Sequence, residues 1–175
     1  FEQSFDLEKP DYVPMKIGLS YSVKELLERL ITLSDNDAKD LLHSIINQRS
    51  VGDVFSDLGL KEPRLEQTND SMSAKDYSRF FRTLYSATYL NKDMSEYALE
   101  LLSRTEFNSG IVNGLPVSTS TIPVAHKFGY RILPPDSHGA TRELHDCGVI
   151  YYPDTPYFLC VMTKGENIQN QAYCQ

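Results

Sequence analysis

The sequence predicts an α+β protein in which a helical region packs on an antiparallel β-sheet. Two observations carry this prediction: apolar residues recur at helical spacing in the first part of the chain, and short extended segments separated by turn residues follow from Gly110 onward. Helices followed by strands, rather than alternating with them, are typical of the α+β class. We therefore expect a single domain over residues 1–175, with residues 1–109 mainly helical and residues 110–175 mainly sheet.

The helical region is predicted to contain five helices. Ser22 and Glu25 form a capping box ahead of an apolar stripe, so the first helix begins at Ser22 and ends near Leu33. A third, short helix is capped at Ser50 and stopped by Gly59. The others are expected at 37–46, from 73 through 85, and at 94–103. On the second helix the expected buried residues are Ala38, Leu41, Leu42 and Ile45.

The sheet region is predicted to contain three strands, at 124–129, 144–152 and 157–163. The last two are expected to form an antiparallel hairpin across the turn at 153–156. Cys147 and Cys160 lie on that hairpin and Cys174 near the end of the chain, too far apart for a zinc cluster. We expect free thiols, although the hairpin leaves a bond between Cys147 and Cys160 open, because disulfide geometry is demanding.

Composition and charge exclude several classes of function. The net charge is −7 with no basic stripe, which argues against nucleic acid as a partner. The longest apolar runs have the length of a strand, so no membrane span is expected. His138, His145 and Asp146 are not spaced to hold a metal on one face, and no motif calls for a metal or another cofactor.

Two short motifs indicate chemistry. Ser34-Asp35-Asn36 lies in the turn between two predicted helices, where its side chains can project into a cleft. His126-Lys127-Phe128-Gly129 lies at the predicted end of a strand at the edge of the sheet. Taken singly, the first motif also suits ordinary helix capping, and the second suits a solvated lysine before a turn.

Together and in this order, the motifs resemble the second and third motifs of serine β-lactamases and penicillin-binding proteins, Ser-Asp-Asn and Lys-Thr-Gly. Segments 23–42, 72–85 and 148–165 also resemble class A β-lactamase-like domains, so the likeness covers residues 21–165. It implies the β-lactamase/transpeptidase-like fold, which we expect to be incomplete at both ends of this chain. The expected partners are a β-lactam or a peptidoglycan stem peptide, together with a missing N-terminal segment of the same domain.

The resemblance implies a role for each residue that matches a family motif. Ser34 matches the hydroxyl that relays a proton to the leaving nitrogen, and Lys127 matches the ammonium that assists it and attracts the substrate carboxylate. Asn36 matches the amide that binds the acylamido group of the substrate. Gly129 and Tyr130 match the strand segment that binds substrate, with the Tyr130 N–H as half of an oxyanion hole. Asp35 matches a residue that holds the loop.

The sequence departs from the family pattern at three places. No serine is followed three positions later by lysine, so the Ser-x-x-Lys nucleophile is not in this chain, which we expect to be inactive alone. Phe128 replaces the usual Thr or Ser and removes a hydroxyl that binds the β-lactam carboxylate. Glu62, in Glu62-Pro63-Arg64-Leu65, resembles the deacylating glutamate of class A enzymes, but Glu66 replaces the usual Asn. The alternative is that Glu62 is an exposed loop carboxylate.

Three hypotheses remain after these departures. The parent protein is an acyl-serine hydrolase or transferase, a non-catalytic domain that binds a cell-wall peptide or a protein, or a structural half that folds only with its missing segment or a partner. The preceding sequence separates the first two, since it either contains Ser-x-x-Lys or does not. The resemblance implies an extracytoplasmic location in bacteria: periplasmic, on the cell surface or secreted.

Overall fold

A computed structural model describes residues 12–62, 72–116, 122–133 and 141–165. Within these ranges helices precede strands, which confirms the predicted α+β class. In chain order the elements are α1 (Val23–Leu33), α2 (Asn36–Ile45), α3 (Gln48–Asp57), α4 (Ala74–Tyr85), α5 (Lys92–Ser103), α6 (Ile111–Gly114), β1 (Val124–Ile132), β2 (Arg142–Ile150) and β3 (Tyr157–Gly165).

The three strands form one antiparallel sheet in the order β1-β2-β3. Alternate residues point to opposite faces, so the register decides what each face carries. On one face Ala125, Cys147 and Val149 pack against Phe81 of α4 and Leu102 of α5. On the other face Val124 and Ile150 pack with Ile111 and Ile122, while a separate cluster of Leu26, Ala38 and Leu42 joins α1 to α2. The helical layer therefore covers one face of the sheet.

Local signals placed α1 correctly. Ser22 caps the helix, its hydroxyl accepting from the Glu25 N–H at 3.2 Å, while the Glu25 carboxylate accepts from the Ser22 N–H at 2.7 Å. Ser73 and Asn91 also cap α4 and α5 through their side chains. The third helix differs from the prediction, since α3 begins at Gln48 rather than with a cap at Ser50. The Ser50 N–H donates to the Asn47 carbonyl at 2.8 Å, so the first turn is closed before Ser50.

Half of the predicted buried stripe of α2 is exposed. Ala38 and Leu42 are buried as expected, whereas Leu41 and Ile45 are 45% and 62% exposed. Residues four apart form one stripe on a helix, and α1 covers the stripe of Ala38 and Leu42. The adjacent stripe turns away from α1, so the prediction was wrong for Leu41 and Ile45.

The sheet differs from the prediction in two further respects. The ladder of β1 with β2 continues to the pair Ile132 and Arg142, so Lys127 lies within a strand rather than at its end. Cys147 and Cys160 face each other in the β2–β3 register and form a disulfide, so the expectation of free thiols was wrong for this pair. Cys174 lies outside the described residues.

Candidate active site

The turn between α1 and α2 presents Ser34 toward the sheet. Ser34 caps the C-terminus of α1 with φ 52° and ψ 43°, a left-handed conformation. A residue with a Cβ adopts this conformation at a cost of about 1–2 kcal/mol. It reverses the chain within one residue, so that Asp35 already caps α2.

The Asp35 carboxylate holds this turn together. It is buried and accepts hydrogen bonds from the N–H groups of Asp37 at 2.9 Å and Ala38 at 3.3 Å, and from Arg29 Nε at 2.7 Å. Burial by itself lowers the pKa of Arg29, but the hydrogen bond and the charge of Asp35 outweigh it and raise that pKa. The resulting ion pair ties the end of α1 to the start of α2 and fixes the backbone of Ser34.

Lys127 reaches this turn from β1. Its Nζ donates to Ser34 Oγ in a very short contact, and to the Phe128 carbonyl at 3.1 Å. Ser34 and Lys127 are 93 residues apart in the sequence. The structure therefore brings the two motifs together across the junction of the helical layer and the sheet.

The other predicted binding residues differ in how close they lie to Lys127. Gly129 and Tyr130 line the cleft beside Lys127. Asn36 is exposed at the start of α2, and its Oδ1 accepts from Lys39 Nζ at 3.5 Å. Among the described residues, the Asn36 side chain makes no hydrogen bond with Ser34 or Lys127. The structure thus groups Gly129 and Tyr130 with Lys127 more directly than it groups Asn36.

Glu62 lies beside α3 rather than in the cleft. Its side chain is exposed, and Oε2 would stand 3.2 Å from a Cβ added to Gly52. Among the described residues that line the cleft, Glu62 is absent. Pro63, Arg64 and Leu65, which complete its motif, lie outside the described part of the chain.

The side chain of Phe128 packs against the segment that follows α5. Its ring is buried and stacks on Phe107, with centroids 4.1 Å apart and planes inclined by 23°. Lys127 Nζ lies 4.5 Å from the centroid of the same ring, a cation–π distance. Phe128 therefore anchors β1 to this segment and offers no hydroxyl to a ligand.

A cleft of about 1010 Å³ opens between the helices and the sheet next to Lys127. The predicted core stripe of α4 lines it: Tyr77, Phe80 and Leu84 lie on its wall beside the buried Phe81, whereas Tyr85 is 50% exposed. Charged side chains also line the cleft, namely Lys127, Arg131, Glu143, His145 and Lys164. The cleft therefore combines an apolar wall with a set of charged side chains.

A buried pair behind Lys127 was not assigned from the sequence. His126 Nδ1 and Asp146 Oδ1 lie 2.9 Å apart, and the two residues are 2% and 4% exposed. The other carboxylate oxygen accepts from the Ile111 N–H at 2.9 Å, which fixes the short helix α6 where extended chain was expected. The sequence signal for this pair was the alternation of side chains between the two faces of β1 and β2. This alternation places Asp146 on the face of the sheet opposite His145.

Comparison with known proteins decides the family. The beta-lactamase enzyme family matches residues 6–173. The chain belongs to this family. The match confirms the resemblance inferred from the motifs, and with the solved structures it supports a serine β-lactamase-like hydrolase family. No curated protein sequence matches the chain.

Solved structures of β-lactamases share the fold. TLA-3 extended-spectrum beta-lactamase superposes with a TM-score of 0.70 at 20% identity, over 88% of this chain and 60% of that one. A beta-lactamase from Sphaerobacter thermophilus DSM 20745 gives 0.69 at 20% identity, over 86% and 56%. A mutant of PBP-A, solved as an acyl-enzyme complex with penicillin G, gives 0.68 at 19% identity, over 87% and 56%. The chain thus spans little more than half the length of these relatives.

Two kinds of feature are absent from the described residues. No group of three or more His, Cys, Asp or Glu side chains there is arranged to hold a metal ion. In the same part of the chain, no helix has both the length and the apolar composition needed to cross a bilayer.

Proposed function

We propose that this β-lactamase family chain is part of an acyl-serine hydrolase or transferase that acts on β-lactams or peptidoglycan stem peptides. The observation that carries the proposal is the contact between Lys127 Nζ and Ser34 Oγ, since a hydroxyl beside an ammonium is suited to proton relay. The acyl-enzyme complex of the PBP-A mutant with penicillin G is one precedent for this chemistry on the fold.

Each site residue has a part in this proposal. Ser34 passes a proton to the nitrogen that leaves when the acyl bond forms, and the charge of Lys127 lowers the cost of the anionic hydroxyl. Lys127 also attracts the substrate carboxylate. Tyr130, after Gly129, offers its N–H to the developing oxyanion. Asn36 binds the acylamido group after its side chain leaves Lys39, and Asp35 keeps the turn in place.

The nucleophile is proposed to come from a segment of the longer protein that precedes this chain and carries Ser-x-x-Lys. The apolar wall of the cleft beside Lys127 supports this, because a contiguous apolar surface marks a place where another segment or a ligand packs. The solved relatives are also longer, since the chain covers 56–60% of TLA-3, the Sphaerobacter enzyme and PBP-A. Without that segment the chain is expected to form no acyl-enzyme.

The site favours peptidase-like or weak lactamase activity over efficient β-lactam hydrolysis. Phe128 offers no hydroxyl to a β-lactam carboxylate and is stacked on Phe107 instead. Glu62 lies against α3, so a general base for rapid deacylation is not supplied from the position that the structure gives it. A penicilloyl adduct is therefore expected to persist rather than to turn over rapidly.

Two other functions remain as alternatives. A non-catalytic domain that uses the cleft to bind a cell-wall peptide or a protein is favoured if the preceding sequence carries no Ser-x-x-Lys. A structural half that needs a partner is favoured if the isolated chain does not stay monomeric, because the apolar wall of its cleft would then be covered by another chain.

An extracytoplasmic location is part of the proposal. The disulfide between Cys147 and Cys160 supports it, because such bonds persist in oxidising compartments and are rare in a reducing cytosol.

The test is intact mass spectrometry after incubation with benzylpenicillin, on the 175-residue chain and on a protein extended at its N-terminus by the preceding segment. We expect no adduct on the chain alone and one penicilloyl group on the extended protein. Lys127→Ala in the extended protein, checked for folding by circular dichroism, should slow adduct formation. A folded extended protein that gains no adduct and releases no product would overturn the proposal and favour a binding role.

A further inference from the structure

The charged lining of the cleft concentrates positive charge on an acidic protein. Four of the described lining residues carry or accept a positive charge, namely Lys127, Arg131, His145 and Lys164. Glu143 is the one acid among the described lining residues. The whole chain has a net charge of −7, so this local excess of cations is opposite in sign to the protein. An anion is the ligand that such a lining attracts.

Glu143 holds two of these cations together in the cleft. It is 7% exposed, and its Oε2 accepts from Arg131 Nε at 2.6 Å. Its Oε1 lies 3.6 Å from Lys164 Nζ. One buried carboxylate therefore positions two cationic groups, and the set keeps an excess positive charge.

The hydrogen bond from Arg131 to Glu143 leaves the other edge of the guanidinium open to the cleft. The guanidinium is bound to Glu143 through Nε, and its side chain is 43% exposed. Within the described part of the chain, its two Nη groups take part in no hydrogen bond or ion pair. Paired N–H groups of this kind bind a carboxylate through two parallel hydrogen bonds, which fix the orientation of the carboxylate.

Lys127 and Arg131 lie on the same face of β1, with Gly129 between them. Four residues of strand separate their Cα atoms by about 13 Å. A Cβ built on Gly129 would find no atom within 4 Å, so the strand between the two cations is open. A ligand that lies along this strand meets a cation at each end.

We propose that Arg131 and Lys164, held by Glu143, form a second anion-binding subsite that takes a carboxylate at the far end of a ligand whose first carboxylate is bound at Lys127. The preferred ligand class is a dicarboxylate with its two charges at opposite ends. This inference rests on the proposed function, in which Lys127 attracts the first carboxylate of the substrate. It extends that function by proposing a negative charge on the acyl side chain of the substrate.

The experiment compares two penicillins that differ in one group. Carbenicillin carries a carboxylate on the acyl side chain, and benzylpenicillin does not. Their dissociation constants are measured by NMR titration at one fixed salt concentration, on the N-terminally extended protein with the serine of Ser-x-x-Lys replaced by alanine, so that binding is not followed by acylation. We expect carbenicillin to bind about tenfold more tightly, a difference of about 1.4 kcal/mol, because it makes one additional charge-assisted contact.

Variants assign the preference to the subsite. Arg131→Gln should bring the ratio of the two dissociation constants close to one, and Lys164→Gln should lower it in part while keeping the bond between Arg131 and Glu143. Lys92→Gln is the matched control, since this exposed lysine pairs with Glu96 on α5 and should leave the ratio as in wild type. Circular dichroism and the melting temperature confirm that each variant is folded.

The outcomes separate the two proposals. Equal affinity for both penicillins in wild type, or an unchanged ratio in folded Arg131→Gln, overturns the subsite and leaves the proposed function standing. Absence of binding by either penicillin overturns the subsite together with the β-lactam ligand class on which it rests.

Discussion

His126 and Asp146 join β1 to β2 through a side-chain hydrogen bond of 2.9 Å that is almost wholly inaccessible to water. Gly148 faces His126 in the register, and a Cβ there would stand 2.5 Å from the His126 Cβ, so the backbone makes room for the imidazole. Thr105 Oγ1 donates to the His126 carbonyl at 2.9 Å. The residue just before Lys127 is therefore held from three sides.

Removal of Asp146 is expected to destabilise the fold strongly. Asp146→Ala leaves His126 and the Ile111 N–H without their buried acceptor, so we expect a loss of about 2–6 kcal/mol in the free energy of unfolding, from two unsatisfied buried groups. Urea denaturation measures it. Asp40→Ala, which removes a carboxylate whose side chain is 72% exposed, is the control and should change stability by less than about 0.5 kcal/mol. A small loss for Asp146→Ala would contradict the importance of the pair.

The left-handed conformation of Ser34 is expected to cost stability. Ser34→Ala and Ser34→Gly both remove the hydroxyl that contacts Lys127, but only glycine adopts φ 52° without steric cost. Ser34→Gly should therefore be more stable than Ser34→Ala by about 1 kcal/mol, as read from the difference in melting temperature. Equal stability of the two variants would mean that the turn relaxes when the hydroxyl is lost.

The disulfide between Cys147 and Cys160 is expected to stabilise the hairpin. Reduction, or the double substitution Cys147→Ala and Cys160→Ala, should lower the free energy of unfolding by about 2–4 kcal/mol, since the closed loop spans 13 positions. Chemical denaturation with and without reductant measures the change. Peptide mapping of the untreated protein should recover Cys147 and Cys160 in one linked peptide, and recovery of both as free thiols would contradict the bond.

Glu143 is expected to make stability depend on acid pH. Burial alone raises the pKa of Glu143, but the hydrogen bond and charge of Arg131, with the charges of His145 and Lys164, outweigh it, and the net pKa is lowered. A pKa lowered by folding contributes stability above the unfolded value, about 4.3, which is lost as the pH falls through the folded value.

The test is the melting temperature of Glu143→Gln between pH 7 and pH 3. The variant should be less stable than wild type at pH 7, and the difference should shrink in acid. The melting temperature of Glu143→Gln should still fall somewhat in acid, because the capping contacts with the Ser22 side chain and backbone also lower the pKa of Glu25. A difference that stays constant across this range would argue against the ionised contact.

Elements that depend only on near neighbours could be predicted from the amino-acid sequence. The capping box at Ser22 and Glu25 needs contacts across three residues only, so its pattern is visible in the chain. The alternation of the strands likewise follows from local geometry, and so do the hairpin and the order of helices before sheet. The two motifs were sufficient to indicate the family, because their residue types and order are specific in combination.

Tertiary structure alone decided which of these residues meet. The contact of Ser34 with Lys127 depends on how the α1–α2 turn docks on β1, and the disulfide and the bond between Arg131 and Glu143 depend on strand register. The exposure of Leu41 depends on which stripe of α2 is covered by α1. Docking and register are set by packing summed over residues distant in sequence, which no local pattern of apolar and polar residues records.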